Sequence, residues 1–206
     1  SSSLFPQFSM KRKGAAIKNS LTELFSQNPN PPIEEVLGNS DVSSSVRYEI
    51  PQLLNYLIPE AYSQDTNEED APHLMELLNF ALKIGKPESH WPPSLEIIAY
   101  RRNSANILSA SSAKLNQRLL SSKLLITRLL QFIQQTDPKS TVYNYEYAGH
   151  FCRILEHLLR ANQKNPEACD QLQLAKIRKI LHQADKMKIC SYLNLLVLFY
   201  SDFNRV

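Results

Sequence analysis

The chain of 206 residues contains little glycine, valine and threonine. Its four glycines, Gly14, Gly38, Gly85 and Gly149, are isolated from one another, whereas a loop that cradles phosphate through its backbone needs closely spaced glycines. Valine and threonine together supply 11 residues against 30 leucines, a balance that disfavours strands and favours helices. These shortages count against a β-sandwich and against a nucleotide-binding fold with a glycine loop.

Cysteine is also scarce. Cys152, Cys169 and Cys190 cannot form a complete set of disulfides, and no CxxC spacing occurs. This usage favours a reducing compartment, and we predict a cytoplasmic protein. The basic cluster Lys11-Arg12-Lys13 would make it nuclear as well if it acts as an import signal, although a solvated helix start explains that cluster better.

Long apolar runs are missing. The longest, Leu193 to Tyr200, is interrupted by Asn194 and falls well short of the ~18 residues that cross a bilayer, so we expect no membrane insertion. The net charge of +3 is too small to indicate a nucleic-acid binder, and no nucleic-acid partner is predicted.

The small net charge conceals an uneven distribution. Residues 60–96 contain eight acids and two bases, whereas residues 97–136 contain no acid. The bases of this second segment are Arg101, Arg102, Lys114, Arg118, Lys123 and Arg128. They form either solvated helix faces that pair with acids elsewhere in the fold, or a basic surface that binds an acidic partner.

Leucine recurs at helical intervals between proline-containing turns, which predicts an all-α fold. We expect an armadillo- or HEAT-like helical repeat array (an α-solenoid) that forms the N-terminal part of a longer one. Residues 17–206 are predicted to form one such domain with a flexible acidic loop near 59–71, after a disordered or artificially appended segment 1–16. Within the domain we expect one continuous helix over about 113–135 and an apolar helix over 186–203.

No pattern of catalytic residues stands out. His150, Cys152 and His157 come closest to a metal site, but their spacing does not place all three on one helix face, and packing or hydrogen bonding explains each histidine better. We therefore predict that the chain is not an enzyme and has no catalytic, metal-binding or cofactor-binding residues. A helical enzyme acting on lipids or terpenoids would need paired carboxylates of the DDxxD kind, which do not occur.

Several leucine-rich segments, read in order, resemble the SAPS-domain family, whose members are regulatory subunits of the protein phosphatase 6 class. The segments with this resemblance are 20–25 (SLTELF), 32–37 (PIEEVL), 52–57 (QLLNYL), 103–109 (NSANILS), 114–120 (KLNQRLL), 124–133 (LLITRLLQFI) and 148–160 (AGHFCRILEHLLR). The Ala148-Gly149-x-Phe151 core is the most characteristic part. His150 stands where the family usually has tyrosine.

The resemblance implies a non-catalytic regulatory or scaffold subunit that binds a serine/threonine protein phosphatase catalytic subunit and targets it to substrates. Its polar anchors for that partner are predicted to be Arg101, Arg118, Arg128 and Arg153, each of which could equally be an ordinary surface charge. The alternative is another α-helical adaptor, for a vesicle or cytoskeletal partner.

Overall fold

The computed structural model describes residues 20–59, 71–83, 93–140 and 144–190, and every regular element in these ranges is helical. The prediction of an all-α fold is therefore confirmed for this part of the chain. The α-helices, in chain order, are α1 Ser20–Gln27, α2 Ile33–Leu37, α3 Val42–Arg47, α4 Pro51–Leu57, α5 Pro72–Leu82, α6 Leu95–Leu108, α7 Ala113–Ser121, α8 Lys123–Gln135, α9 Tyr145–Lys164 and α10 Gln171–Lys186, with a 3₁₀ turn at Pro166–Ala168.

Three predicted features lie outside the described residues. These are the N-terminal segment 1–16, nearly all of the acidic loop near 59–71, and the apolar part of the predicted helix 186–203. Only the first residues of that last segment are described, where α10 ends at Lys186 and residues 187–190 form a turn.

Short polar side chains determine where the longer helices begin. The hydroxyl of Ser94 accepts a hydrogen bond from the amide of Ile97 at the start of α6, and the carboxylate of Asp170 accepts one from the amide of Gln173 at the start of α10. Asn144 caps α9 in the same way. Each cap satisfies amide groups that the first helical turn leaves unbonded.

The single helix predicted over 113–135 is wrong: the chain breaks at Ser122 into α7 and α8. Ser122 has an extended backbone, and its hydroxyl accepts a hydrogen bond from the amide of Leu125 at 3.2 Å. The leucine pattern runs across this point without interruption, and it therefore gave no sign of the break. The cap stabilises the start of α8, which can then take a different direction from α7.

Helix α9 contacts α5, α6 and α7, while α8 packs along α10 and α5 along α6. The helical spacing of the apolar residues between positions 147 and 159 predicts one inward face of α9. That face is buried, with Phe151 fully enclosed and stacked on Phe132 of α8 at a centroid distance of 5.0 Å. The other predicted inward residues of α9 are also buried: Tyr147, Ile154, Leu155, Leu158 and Leu159. One apolar core thus extends from α1 to α10.

A disulfide joins Cys152 of α9 to Cys190, with a Cα–Cα distance of 5.5 Å. The sequence expectation did not include this pair, because the two residues lie 38 positions apart and no local motif connects them. The turn after α10 brings Cys190 back onto α9. The bond fastens this turn to the central helix.

Gly149 lies within a strong helix, which suggests a close helix crossing, but the structure shows no such crossing there. A glycine there predicts a neighbouring helix that crosses too closely for a side chain. In the structure, however, a Cβ atom added at Gly149 would have no atom within 4 Å. The helix therefore bears the conformational cost of glycine without gaining a close contact.

We expect Gly149→Ala to raise the free energy of unfolding by about 0.5–1 kcal/mol, because alanine restricts the unfolded chain and nothing opposes its methyl group. Urea denaturation followed by circular dichroism would measure the change. A destabilised variant would show that the site is more crowded than the structure indicates.

Candidate functional site

Arg101, the first predicted anchor, is largely enclosed by the fold. It is 9% exposed, and its guanidinium carbon lies 5.5 Å from the centroid of the Tyr147 ring on α9. This cation–π contact joins α6 to α9. Arg101 consequently presents much less of its surface to a partner than a helix-surface arginine would.

Arg118 crosses from α7 to the end of α4. One of its terminal nitrogens, Nη1, donates to Oδ1 of Asn55 at 3.0 Å and to the buried carbonyl of Ile58 at 2.9 Å. The residue also lines a cavity of about 510 Å³ between α4 and α7, together with Glu49, Lys114, Gln117 and Ser121. Arg118 thus links α7 to the end of α4 through hydrogen bonds and also lines a polar depression on the surface.

Glu49 also lines this cavity, and it caps α7 although it lies 65 residues before Lys114. Its Oε1 accepts hydrogen bonds from the amide of Lys114 and from the hydroxyl of Ser112, both at 3.0 Å. The amide hydrogen bond from Lys114 is the main cause of a lowered pKa at this carboxyl. A carboxylate at a helix N-terminus is stabilised because the unbonded amides there carry partial positive charge.

Arg128 and Arg153 lie on α8 and α9. Arg128 is half-buried, and its Nη1 donates to Oε1 of Gln131 at 2.9 Å on the same helix. Arg153 is exposed, and its Nη2 donates to Oδ1 of Asn106 at 2.8 Å and to the hydroxyl of Ser109 at 3.1 Å. Arg153 lines a different cavity from Arg118. The four predicted anchors therefore do not all meet at one cavity.

The histidines of α9 serve as hydrogen-bonding residues, as the sequence suggested. Nδ1 of His150 lies 2.8 Å from the carbonyl oxygen of Ala81, and Nε2 of His157 lies 2.7 Å from that of Ala110. Each imidazole N–H donates to a carbonyl on a neighbouring element, so both hold α9 in place. Among the residues that the structure describes, no three His, Cys, Asp or Glu side chains are grouped to hold a metal ion.

Cys169 is the free cysteine of the described chain and is buried. Burial, with the nearby Asp170 carboxylate as a smaller cause, raises the pKa of its thiol to about 12. The thiol is therefore protonated near neutral pH, whereas nucleophilic and metal-binding cysteines react as thiolates.

An aromatic cluster between α1, α4 and α5 was not anticipated from the sequence. The Tyr56 ring stacks on His73 at a centroid distance of 3.8 Å and meets Phe25 edge to face at 5.3 Å. The Tyr56 hydroxyl donates to the carbonyl of Pro31 at 2.7 Å. This cluster lines a cavity of about 460 Å³, which shares Asn55 and Pro59 with the larger one. These residues are far apart in sequence, so no local motif joined them.

Comparisons with protein-family models, with curated proteins and with solved structures gave no match to this chain. The described helices contain none that is long and apolar enough to cross a membrane.

We expect Arg118→Ala to lower the free energy of unfolding by about 1–2 kcal/mol, because it removes two hydrogen bonds and leaves the buried Ile58 carbonyl without a donor. Chemical denaturation would measure the loss. Lys114→Ala is the matched control, since Lys114 lies one turn earlier on α7, is exposed and lines the same cavity. Equal losses in both variants would contradict a stabilising role for the hydrogen bonds from Arg118 to Asn55 and Ile58.

Glu49→Gln should destabilise the protein by about 1 kcal/mol at neutral pH, because the ionised cap of α7 is lost. Since the folded pKa is lowered, the contribution of Glu49 is fully present above its unfolded pKa, which is near 4.5, and disappears as the pH falls through the lower folded value. The difference between variant and wild type should therefore shrink in acid. Thermal melting from pH 7 to pH 3 would show this, with the exposed Glu167→Gln as control.

Proposed function

We propose that the protein is a non-catalytic regulatory or scaffold subunit that binds a serine/threonine protein phosphatase catalytic subunit of the phosphatase 6 type and directs it to substrates. The proposal includes the finer architecture that the sequence predicts, an armadillo- or HEAT-like α-solenoid. It also includes the predicted cytoplasmic location, with a nuclear one if the basic cluster is an import signal, although the Cys152–Cys190 disulfide counts against a reducing compartment.

The observation that carries the proposal is the correspondence between the SAPS-like segments and the helices. Segments 20–25, 52–57, 114–120, 124–133 and 148–160 each lie wholly within a separate helix. Segments 32–37 and 103–109 each extend only one residue beyond a helix. Leucine-rich segments form helices in any all-α protein, so what supports the family is the order in which these segments follow one another along the chain.

The difference between this chain and the family at position 150 does not count against the proposal. The family usually has tyrosine there, and a change on a contact surface would cast doubt on the partner. His150 is only 8% exposed and its ring bonds to the carbonyl of Ala81. The difference therefore concerns packing between α9 and α5, where another side chain with a hydrogen-bond donor serves the same purpose.

Polar depressions next to arginines provide the kind of surface that the proposal needs. Arg118 and Arg153 line two separate cavities, and both guanidinium groups are held by hydrogen bonds to other helices. An arginine oriented in this way loses less conformational entropy when it binds a partner than a freely rotating one. An acidic phosphatase surface would complement such groups.

The proposal predicts that the purified chain forms a complex with a purified phosphatase 6-type catalytic subunit, measurable by isothermal titration calorimetry. Reversing Arg118 and Arg128 together to glutamate should weaken the complex by about tenfold or more, because two attractive contacts become repulsive. Melting temperatures of all variants would be measured in parallel, since Arg118 also stabilises the fold.

The matched control is the double reversal Lys164→Glu with Lys179→Glu, which makes the same charge change at two exposed lysines outside the predicted anchors. It should alter the affinity by less than about twofold. Absence of any complex with the catalytic subunit would refute the proposal. Specific capture of a vesicle or cytoskeletal protein instead would favour the alternative adaptor.

A further inference from the structure

A third, smaller cavity lies between α3, the end of α6 and α9. Its volume is about 280 Å³. The polar residues that line it are Ser43, Arg47, Asn106, Ser109, Ser111 and Arg153. None of the described residues that line it is acidic, so two guanidinium groups and three hydroxyls meet there without a carboxylate.

Arg153 is held in this cavity through one nitrogen. Nη2 donates to Oδ1 of Asn106 and to the Ser109 hydroxyl oxygen, and that hydroxyl in turn donates to the carbonyl of Ala105 at 2.7 Å. Nε and Nη1 make no hydrogen bond to any described residue. The guanidinium is therefore oriented by the protein while part of its donor set remains available.

The positive charge in the cavity is not neutralised by neighbouring acids. Arg47 is exposed and makes no ion pair within the described chain. The acid nearest to Arg153 along α9, Glu156, accepts hydrogen bonds from both Nε and Nη2 of Arg160. The carbonyls at the end of α6 accept from the amides of Ser109 and Ala110. The site thus has a net positive charge and an excess of donors.

Such a donor set matches a phosphate group. A guanidinium presents a planar fork of N–H groups that binds two phosphate oxygens at once. The hydroxyls of Ser43 and Ser111 can donate to the third oxygen, whereas the Ser109 hydroxyl already donates to Ala105. The cavity is slightly smaller than the ~300–1,000 Å³ of typical small-molecule pockets, and it has room for a phosphate with a short side chain.

We propose that Arg47 and Arg153, with the serine hydroxyls beside them, form a binding site for a phosphate monoester, the phosphorylated serine or threonine side chain of a partner protein. The site is defined by this cavity alone and does not depend on the phosphatase assignment. It would give the scaffold a contact that exists only when its partner is phosphorylated.

The test uses three probes on the full chain: inorganic phosphate, N-acetyl-O-phosphoserine methylamide and the same compound without phosphate. In an NMR titration, both phosphate-bearing probes should shift the amide resonances of residues 43–47, 106–111 and 153. The unphosphorylated compound should shift none of them and should give no heat in a calorimetric titration. Arg47→Gln and Arg153→Gln should each weaken binding by about tenfold, as expected for the loss of a charge-assisted hydrogen bond.

Two further variants distinguish a specific phosphate-binding site from general attraction to a basic surface. Arg153→Lys keeps the charge but not the planar fork, and it should weaken binding by about threefold or more. Lys164→Gln is the matched control, because it removes a positive charge from an exposed position on the same helix outside the cavity and leaves the Glu156–Arg160 pair intact, and it should change the affinity by less than about twofold.

Equal weakening by Lys164→Gln and Arg153→Gln, or unchanged binding in Arg47→Gln and Arg153→Gln, would overturn the site. Binding of phosphate without binding of the phosphoserine compound would overturn its assignment to a phosphorylated side chain and leave a free-anion site. Because Arg47 and Arg153 are exposed, we expect all variants to fold, and circular dichroism melting would verify this.

Discussion

The burial of the apolar face of α9 is the interaction on which the helices next to it, α5 to α8, depend. This 20-residue helix contacts α5, α6 and α7, and its Phe151 stacks on Phe132 of α8. Burying one large aromatic side chain contributes about 1.5–3 kcal/mol, and α9 encloses a whole row of apolar side chains. Removing α9 would expose one side of each helix that packs on it.

Polar contacts then fix the positions of the helices around this core. Arg101 lies over Tyr147, His150 and His157 bond to carbonyls of neighbouring segments, and Arg118 joins α7 to the end of α4. Most of these groups are partly or fully withdrawn from water, so each would cost free energy if its partner were absent. The charges that looked like a partner surface in the sequence are therefore partly used inside the fold.

The candidate sites show where sequence reasoning succeeds and where it stops. Arg118 and Arg153 were predicted as anchors and do line surface cavities, but Arg47 was not, because it belongs to a short helix far from them in sequence. The aromatic contact of Tyr56 with His73 and the disulfide of Cys152 with Cys190 escaped notice for the same reason. Each combines residues that only the packing of separate helices brings together.

The sequence by itself determined the helical class of the described chain and the inward face of α9, because leucine spacing and helix geometry share one period. It did not indicate the break at Ser122, which is hidden within a continuous leucine pattern. Only the tertiary structure decided which arginines are enclosed and which line cavities. Those outcomes depend on distances between helices, and a linear pattern contains no such distances.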